Sequence, residues 1–168
     1  MTDLLLVIPA RYKSSRFPGK PLVDINGKSM IHRVWEKCTE AVGKDRVLVA
    51  TDNMKIMEHC EIRTIPVVMT SEECLTGSDR VYEVAQKIKA DLYVNVQGDE
   101  PLISPGDIIE VINASEKYNG KVINAMCPIK DEIDFWSINI PKVVTRLDGR
   151  LLYMSRSPIP NNKKNDFN

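Results

Sequence analysis

The chain has 168 residues and a mass of 19.0 kDa, enough for one domain that buries about 70% of its unfolded surface. With 43% hydrophobic and 27% charged residues, a core can form without disulfide or metal staples, and disordered, collagen-like and coiled-coil classes are excluded. Lys+Arg and Asp+Glu each number 23, for a formal net charge of zero, which argues against a bulk electrostatic binder of nucleic acid but not against a local anion site.

The first element is Leu4-Leu5-Leu6-Val7-Ile8, a continuous apolar run closed by Pro9, as expected of a strand buried on both faces. Met30, Ile31, Val34, Trp35, Cys38 and Ala41 recur at helical spacing, predicting an amphipathic helix over 29–42 that ends near Gly43. A second strand follows over 46–51, a short helix over 54–60, and a third strand over 65–69, where Pro66 implies an edge position or the strand's start. Ser78 or Asp79 is placed to cap a helix carrying Val81, Val84, Ala85 and Ile88. Residues 91–96 read as a strand running into Gln97-Gly98-Asp99-Glu100-Pro101, and Pro105 opens a helix. Val122–Met126 reads as another strand, and 142–146 with 151–154 flank Asp148-Gly149 as a hairpin. Strands separated by helices predict an α/β fold with a mainly parallel sheet, whose ligands gather beyond the carboxyl ends of the strands. One domain is expected over 1–160, with a frayed polar tail over 161–168.

No apolar run approaches the ~20 residues that span a bilayer, and Asp3 stands where a secretory leader needs basic charge. A cytoplasmic protein with no membrane partner is expected. Cys38, Cys60, Cys74 and Cys127 form no Cys-x-x-Cys pair and read as reduced thiols, mostly small core residues.

The loop after the first strand places Arg11, Lys13, Arg16 and Lys20 within ten residues, beside two hydroxyls and a glycine. Arginine grips phosphate oxygens through a planar fork and lysine supplies a compact charge, so a polyphosphate is the natural ligand; the alternative is a solvated loop. Gly27-Lys28-Ser29 imitates the end of a P-loop, but position 22 is Leu where the first glycine belongs. Asn26-Gly27 therefore reads as a tight turn, and no Gly-x-Gly-x-x-Gly follows any strand. Asp99, at a strand's end, can hold Mg²⁺ or belong to an ordinary acidic turn closed by Pro101, and Arg156 can read a carboxylate or stand free at the surface.

The run from Ile8 to Leu22, IPARYKSSRFPGKPL, closely resembles the nucleotide-binding signature of the CMP-Kdo synthetases (3-deoxy-manno-octulosonate cytidylyltransferases). The likeness continues in order through Asp24–Lys28, Val49–Asp52, Gly77–Arg80, Asn95–Pro101, Lys142–Val144 and Tyr153–Pro160. It implies a Rossmann-like nucleotidyltransferase fold of the nucleotide-diphospho-sugar transferase type, with a mainly parallel mixed sheet flanked by helices. The implied reaction is attack of a Kdo-like sugar acid on the α-phosphorus of CTP, assisted by Mg²⁺, giving a CMP-sugar and pyrophosphate for lipopolysaccharide biosynthesis.

By the same resemblance, Arg11 and Lys20 hold the triphosphate, with Arg16 as a helper, and Arg11, Lys20 and Asp99 form the catalytic set. Pro9 and Ala10 offer backbone contacts to the base. Arg80, with Gly77, Ser78 and Asp79, closes over the nucleotide. Gln97 and Arg156 bind the sugar acid, Lys142 has no assigned role, and a homodimer is implied. Three features depart from the family pattern, the first being a compressed stretch between Asp52 and Met69 that implies a shortened surface helix. Cys74-Leu75-Thr76 stands where a His-Gln-Ser flavour is usual, which keeps a nonulosonate or phosphonate acceptor open. The family also continues past the Ser-Arg-x-x-Ile-Pro segment, with a second metal-binding Asp, so a non-catalytic nucleotide-binding module is the alternative reading of this short chain.

Overall fold

In a computed structural model the described residues are 3–13 and 17–161. They fall into two compact units, Met1–Ile123 and Asn124–Asn168, taken here in turn; the tail expected over 161–168 lies outside the described residues from position 162 onward.

In the first unit, β1 (Leu4–Ala10), β4 (Val47–Thr51), β5 (Val67–Met69) and β6 (Leu92–Asn95) form one sheet in the order β5-β4-β1-β6, every pair parallel. The parallel α/β architecture matches the sequence reading. Two short strands, β2 (Asp24–Ile25) and β3 (Lys28–Ser29), make a separate antiparallel hairpin. Its turn residues Asn26 and Gly27 have φ of 51° and 81°, the paired left-handed conformation of a tight hairpin turn, so the P-loop lookalike is a turn.

The alternation along β1 sorts side chains onto two faces. Leu4, Leu6, Ile8 and Ala10 join Val47 and Val49 in a large cluster with Ile31, Val34 and Cys38 of α1 (Met30–Val42), Ile56 and Cys60 of α2 (Met54–Ile62) and Ile108 of α4 (Pro105–Lys117). Val7, Leu48 and Ala50 face the other way, against Val84 of α3 (Gly77–Lys87). Each fully buried Leu, Ile or Val contributes about 1.5–3 kcal/mol, and helices on both faces are what a continuously apolar central strand requires.

Pro9 does not close β1 as expected but lies within it, paired with Ala50. Val7 faces β6, since its carbonyl oxygen accepts from the Val96 N–H at 3.1 Å. Pro9, two residues on, faces the same side, where β6 has already ended at Asn95, so its missing N–H leaves no ladder bond unmade. Pro66 immediately precedes β5, which lies at the sheet's edge. Burial pushes the Cys38 and Cys60 thiols up to about 12, making them inert core residues, whereas Cys127 is exposed.

Two expected features are corrected. The cap of α3 is Thr76 rather than Ser78 or Asp79: its hydroxyl accepts from the Asp79 N–H at 3.2 Å while Asp79 Oδ2 accepts from the Thr76 N–H at 2.7 Å, a reciprocal capping box. Residues 122–126 form no strand; Val122 is 93% exposed. A strand exists by pairing, and among the described residues nothing pairs with this run.

In the second unit, β7 (Lys142–Thr145) and β8 (Leu151–Ser155) form the expected antiparallel hairpin, turned at Gly149 with φ of 84°. A one-turn helix, α5 (Glu132–Trp136), precedes it.

Candidate functional site

All four strands of the main sheet are parallel, so the segments following them emerge at one end. The loop after β1 is folded back on itself there. Gly19, at φ of 73°, donates its N–H to the Tyr12 carbonyl oxygen at 2.9 Å. A Cβ at Gly19 would lie 3.2 Å from the Tyr12 ring, so both its conformation and its contact demand glycine. A 3-10 turn, Lys20–Leu22, starts from it with Pro21 buried.

This closure delivers Lys20 to the segment after β6. Lys20 Nζ donates to Asp99 Oδ2 at 2.6 Å, across 79 residues of sequence. The two side chains are 38% and 48% exposed, open to solvent and to a ligand. The cation assigned to phosphate and the carboxylate assigned to metal are thus brought together. Arg11 is exposed at the same mouth and makes no ion pair among the described residues. Lys13 pairs instead with Glu72 at 2.6 Å. Arg16 lies outside the described residues.

Pro9, Gly77, Gln97 and Gly98 converge beside this pair. A Cβ on Gly98 would stand 2.8 Å from the Pro9 carbonyl oxygen, a clash that only glycine avoids. A Cβ on Gly77 would meet the Gln97 Nε2 at 3.0 Å and the Pro9 Cγ at 3.1 Å. Gln97 is exposed and donates from Nε2 to Asn95 Oδ1 at 3.0 Å. Ala10 is buried at the end of β1, and Ser78 is exposed in the first turn of α3. The carboxyl of Asp79 is held below its ordinary value by the Thr76 hydroxyl and N–H groups, so it stays an ionised cap.

Arg80 is placed differently from a loop cation. It is 2% exposed; Nη2 donates to Asp52 Oδ2 at 2.8 Å, and Nη1 donates to the Thr70 hydroxyl and to the Ser71 carbonyl oxygen. Asp52 and Thr70 were not singled out by sequence reasoning as site residues. The signal for Asp52 was the Val49–Asp52 run at the mouth of β4, where an acid that follows a buried strand needs a partner.

Arg156 belongs to the second unit. It is exposed, and its Nη1 donates to the carbonyl oxygens of Ile138 and Asn139 at 3.2 and 2.9 Å. Lys142 is 2% exposed and donates to the Ser137 carbonyl oxygen, a bond within its own unit.

A cation facing a carboxylate at the mouth of a parallel sheet, beside two closely packed glycines, is an arrangement suited to binding a phosphate chain together with a divalent ion. Known proteins resemble the chain. A 3-deoxy-manno-octulosonate cytidylyltransferase of Geobacter metallireducens is 46% identical over 168 residues, covering 96% of this chain and 65% of its own. One from Protochlamydia amoebophila is 42% identical, covering 98% and 66%. A solved CMP:2-keto-3-deoxy-manno-octonic acid synthetase complexed with CTP superimposes with a TM-score of 0.89 at 37% identity, over 96% of this chain and 67% of that one. A cytidylyltransferase from Leptospira borgpetersenii, at 22% identity and a TM-score of 0.63 over 71% and 51%, shares the fold. The chain spans just under two thirds of the length of these curated relatives. The family profile described as Cytidylyltransferase matches residues 5–168, and with that span and those identities the chain belongs to the cytidylyltransferase family.

Proposed function

We propose that the chain carries the nucleotide-binding part of a CTP-dependent cytidylyltransferase that activates a Kdo-like sugar acid to its CMP-sugar, in the cytoplasm and for lipopolysaccharide assembly. The observation that supports this reading most is the Lys20–Asp99 contact at 2.6 Å, which joins the cationic loop to the acidic turn after β6. Transfer at phosphorus asks the protein mainly to position the reactants and to neutralise charge spreading over phosphate oxygens. Lys20 and Arg11 suit that task for the triphosphate, and the buried end of β1 at Pro9 and Ala10 suits a base laid against backbone. Gln97 and Arg156 are the groups proposed for the sugar acid.

Among the described residues no three acidic, His or Cys side chains cluster to hold a metal. The single carboxylate of Asp99 suits Mg²⁺, which is held by one or two carboxylates together with substrate phosphates and water. Asp99 would hold the ion, and the ion would neutralise charge on the phosphate oxygens. A homodimer is part of the same proposal.

The test is to incubate the protein with CTP, Mg²⁺ and Kdo and to measure pyrophosphate. Release is the expected result, and no release across Kdo, nonulosonate and phosphonate acceptors overturns the catalytic reading. The wider panel is motivated by Leu75, which is 82% exposed two residues before Gly77. Calorimetric binding of CTP without turnover on any acceptor would instead identify a nucleotide-binding module.

A further inference from the structure

We propose that the buried Asp52–Arg80 pair is a positioning device that sets the wall against which the nucleotide base is discriminated: by fixing where α3 begins, it holds Gly77 against Pro9 and Gln97. This rests on the cytidylyltransferase reading above.

The guanidinium of Arg80 joins three segments. Through Asp52 it holds the end of β4, and through the Thr70 hydroxyl and the Ser71 carbonyl oxygen it holds the segment after β5. Arg80 itself lies in the first turn of α3. Thr70 extends the same connection, donating its N–H and its hydroxyl to the Thr51 carbonyl oxygen at 2.8 and 3.0 Å. The side chains of Arg80 and Asp52 are 3% and 12% exposed. A desolvated ion pair adds little net stability compared with apolar residues of the same volume, so its use lies in the geometry it dictates.

On its far side that geometry sets Gly77 beside Gln97 and Pro9. Gly77 stands three residues before Arg80, and the space a methyl group would need there is already taken by Gln97 and Pro9 at 3.0–3.2 Å. Where α3 begins therefore sets how closely the backbone at Gly77 approaches the proline at the end of β1 and the amide of Gln97. Asp52 and Arg80 touch no ligand in this scheme. They act through Gly77 on the groups that do.

The test titrates CTP and UTP, with MgCl₂, into the full chain by calorimetry for the wild type, Asp52→Asn, Arg80→Lys and Gly77→Ala, with urea unfolding of each as the control on folding. The wild type should prefer CTP. Asp52→Asn and Gly77→Ala should each lose about tenfold in CTP affinity, the scale of a charged hydrogen bond, and most of the CTP/UTP ratio; Arg80→Lys should keep part of both. A purely structural role moves the unfolding midpoint and leaves the ratio alone. Gly77→Ala leaves the ion pair intact, so it carries the test even where Asp52→Asn does not fold. An unchanged ratio in Gly77→Ala, or in folded Asp52→Asn, overturns the proposal, as does a wild type that binds both nucleotides equally. A wild type that binds neither removes instead the function on which the proposal rests.

Discussion

Two ion pairs stand at the same end of the sheet and see very different amounts of water. Arg80–Asp52 is sealed, at 3% and 12% side-chain exposure; Lys20–Asp99 is half open, at 38% and 48%. The sealed pair is tied further into the fold by Arg80 Nη1, which donates to Thr70 and Ser71. The open pair is screened by solvent and contributes little to stability, so each member can be reached by a ligand; in the proposed function Lys20 would meet phosphate oxygens and Asp99 a divalent ion. Burial thus separates a pair proposed to position the backbone from a pair proposed to meet the ligand.

The largest effect expected from breaking this contrast is at Asp99. Asp99→Asn should abolish Mg²⁺-dependent pyrophosphate release while the unfolding midpoint stays near that of the wild type; retained activity would remove Asp99 from the metal site. The sealed pair should behave in the opposite way. Arg80→Met leaves Asp52 buried without its cation, a loss of about 3–5 kcal/mol in urea unfolding. A loss below 1 kcal/mol, on the scale of exposed pairs, would show that the two pairs do not differ as their burial implies.

The contrast also marks what the amino-acid sequence could and could not show. The sheet was legible because residues 4–8 and 47–50 are apolar at every position, as a strand with helices on both faces requires. The cationic loop and the Gln97–Pro101 turn were legible as separate motifs. Their meeting was not, because 79 residues separate Lys20 from Asp99 and only the closed sheet brings them together. Arg80 was the hardest to read. An arginine after Gly-Ser-Asp looks like a solvated cation until a carboxylate 28 residues earlier is found beneath it. Residues 122–126 have strand composition but no partner among the described residues, since pairing is a non-local property. Glu132–Trp136 is too short a helix for periodicity to declare.

Lys20 sharpens the open half of the comparison. Lys20→Ala should weaken CTP binding by about 1–3 kcal/mol, as for a hydrogen bond to a charged group, and leave unfolding in urea almost unchanged. Calorimetry with CTP and Mg²⁺ reads the first and chemical denaturation the second. A stability loss without an affinity loss would make the Lys20–Asp99 contact a structural pair like its sealed neighbour.

The smallest expected effect concerns a third polar pair, intermediate in burial. The Ser29 hydroxyl lies 2.7 Å from His59 Nε2 and accepts from the His32 N–H at 3.3 Å as the cap of α1. Burial, with the charge of Arg63 next, holds the His59 pKa below its ordinary 6.5. The unfolded chain therefore binds the proton more readily than the folded one, so this contribution to stability is complete above the unfolded value and is lost as pH falls through the folded value. Ser29→Ala should cost about 1 kcal/mol near neutral pH, the worth of a helix cap, with CTP affinity unchanged. In urea unfolding between about pH 7.5 and pH 5.5, spanning the histidine range, the wild type should lose stability on acidification and His59→Gln should lose less. Equal losses in the two proteins would assign the acid sensitivity to other groups and leave Ser29 as a cap alone.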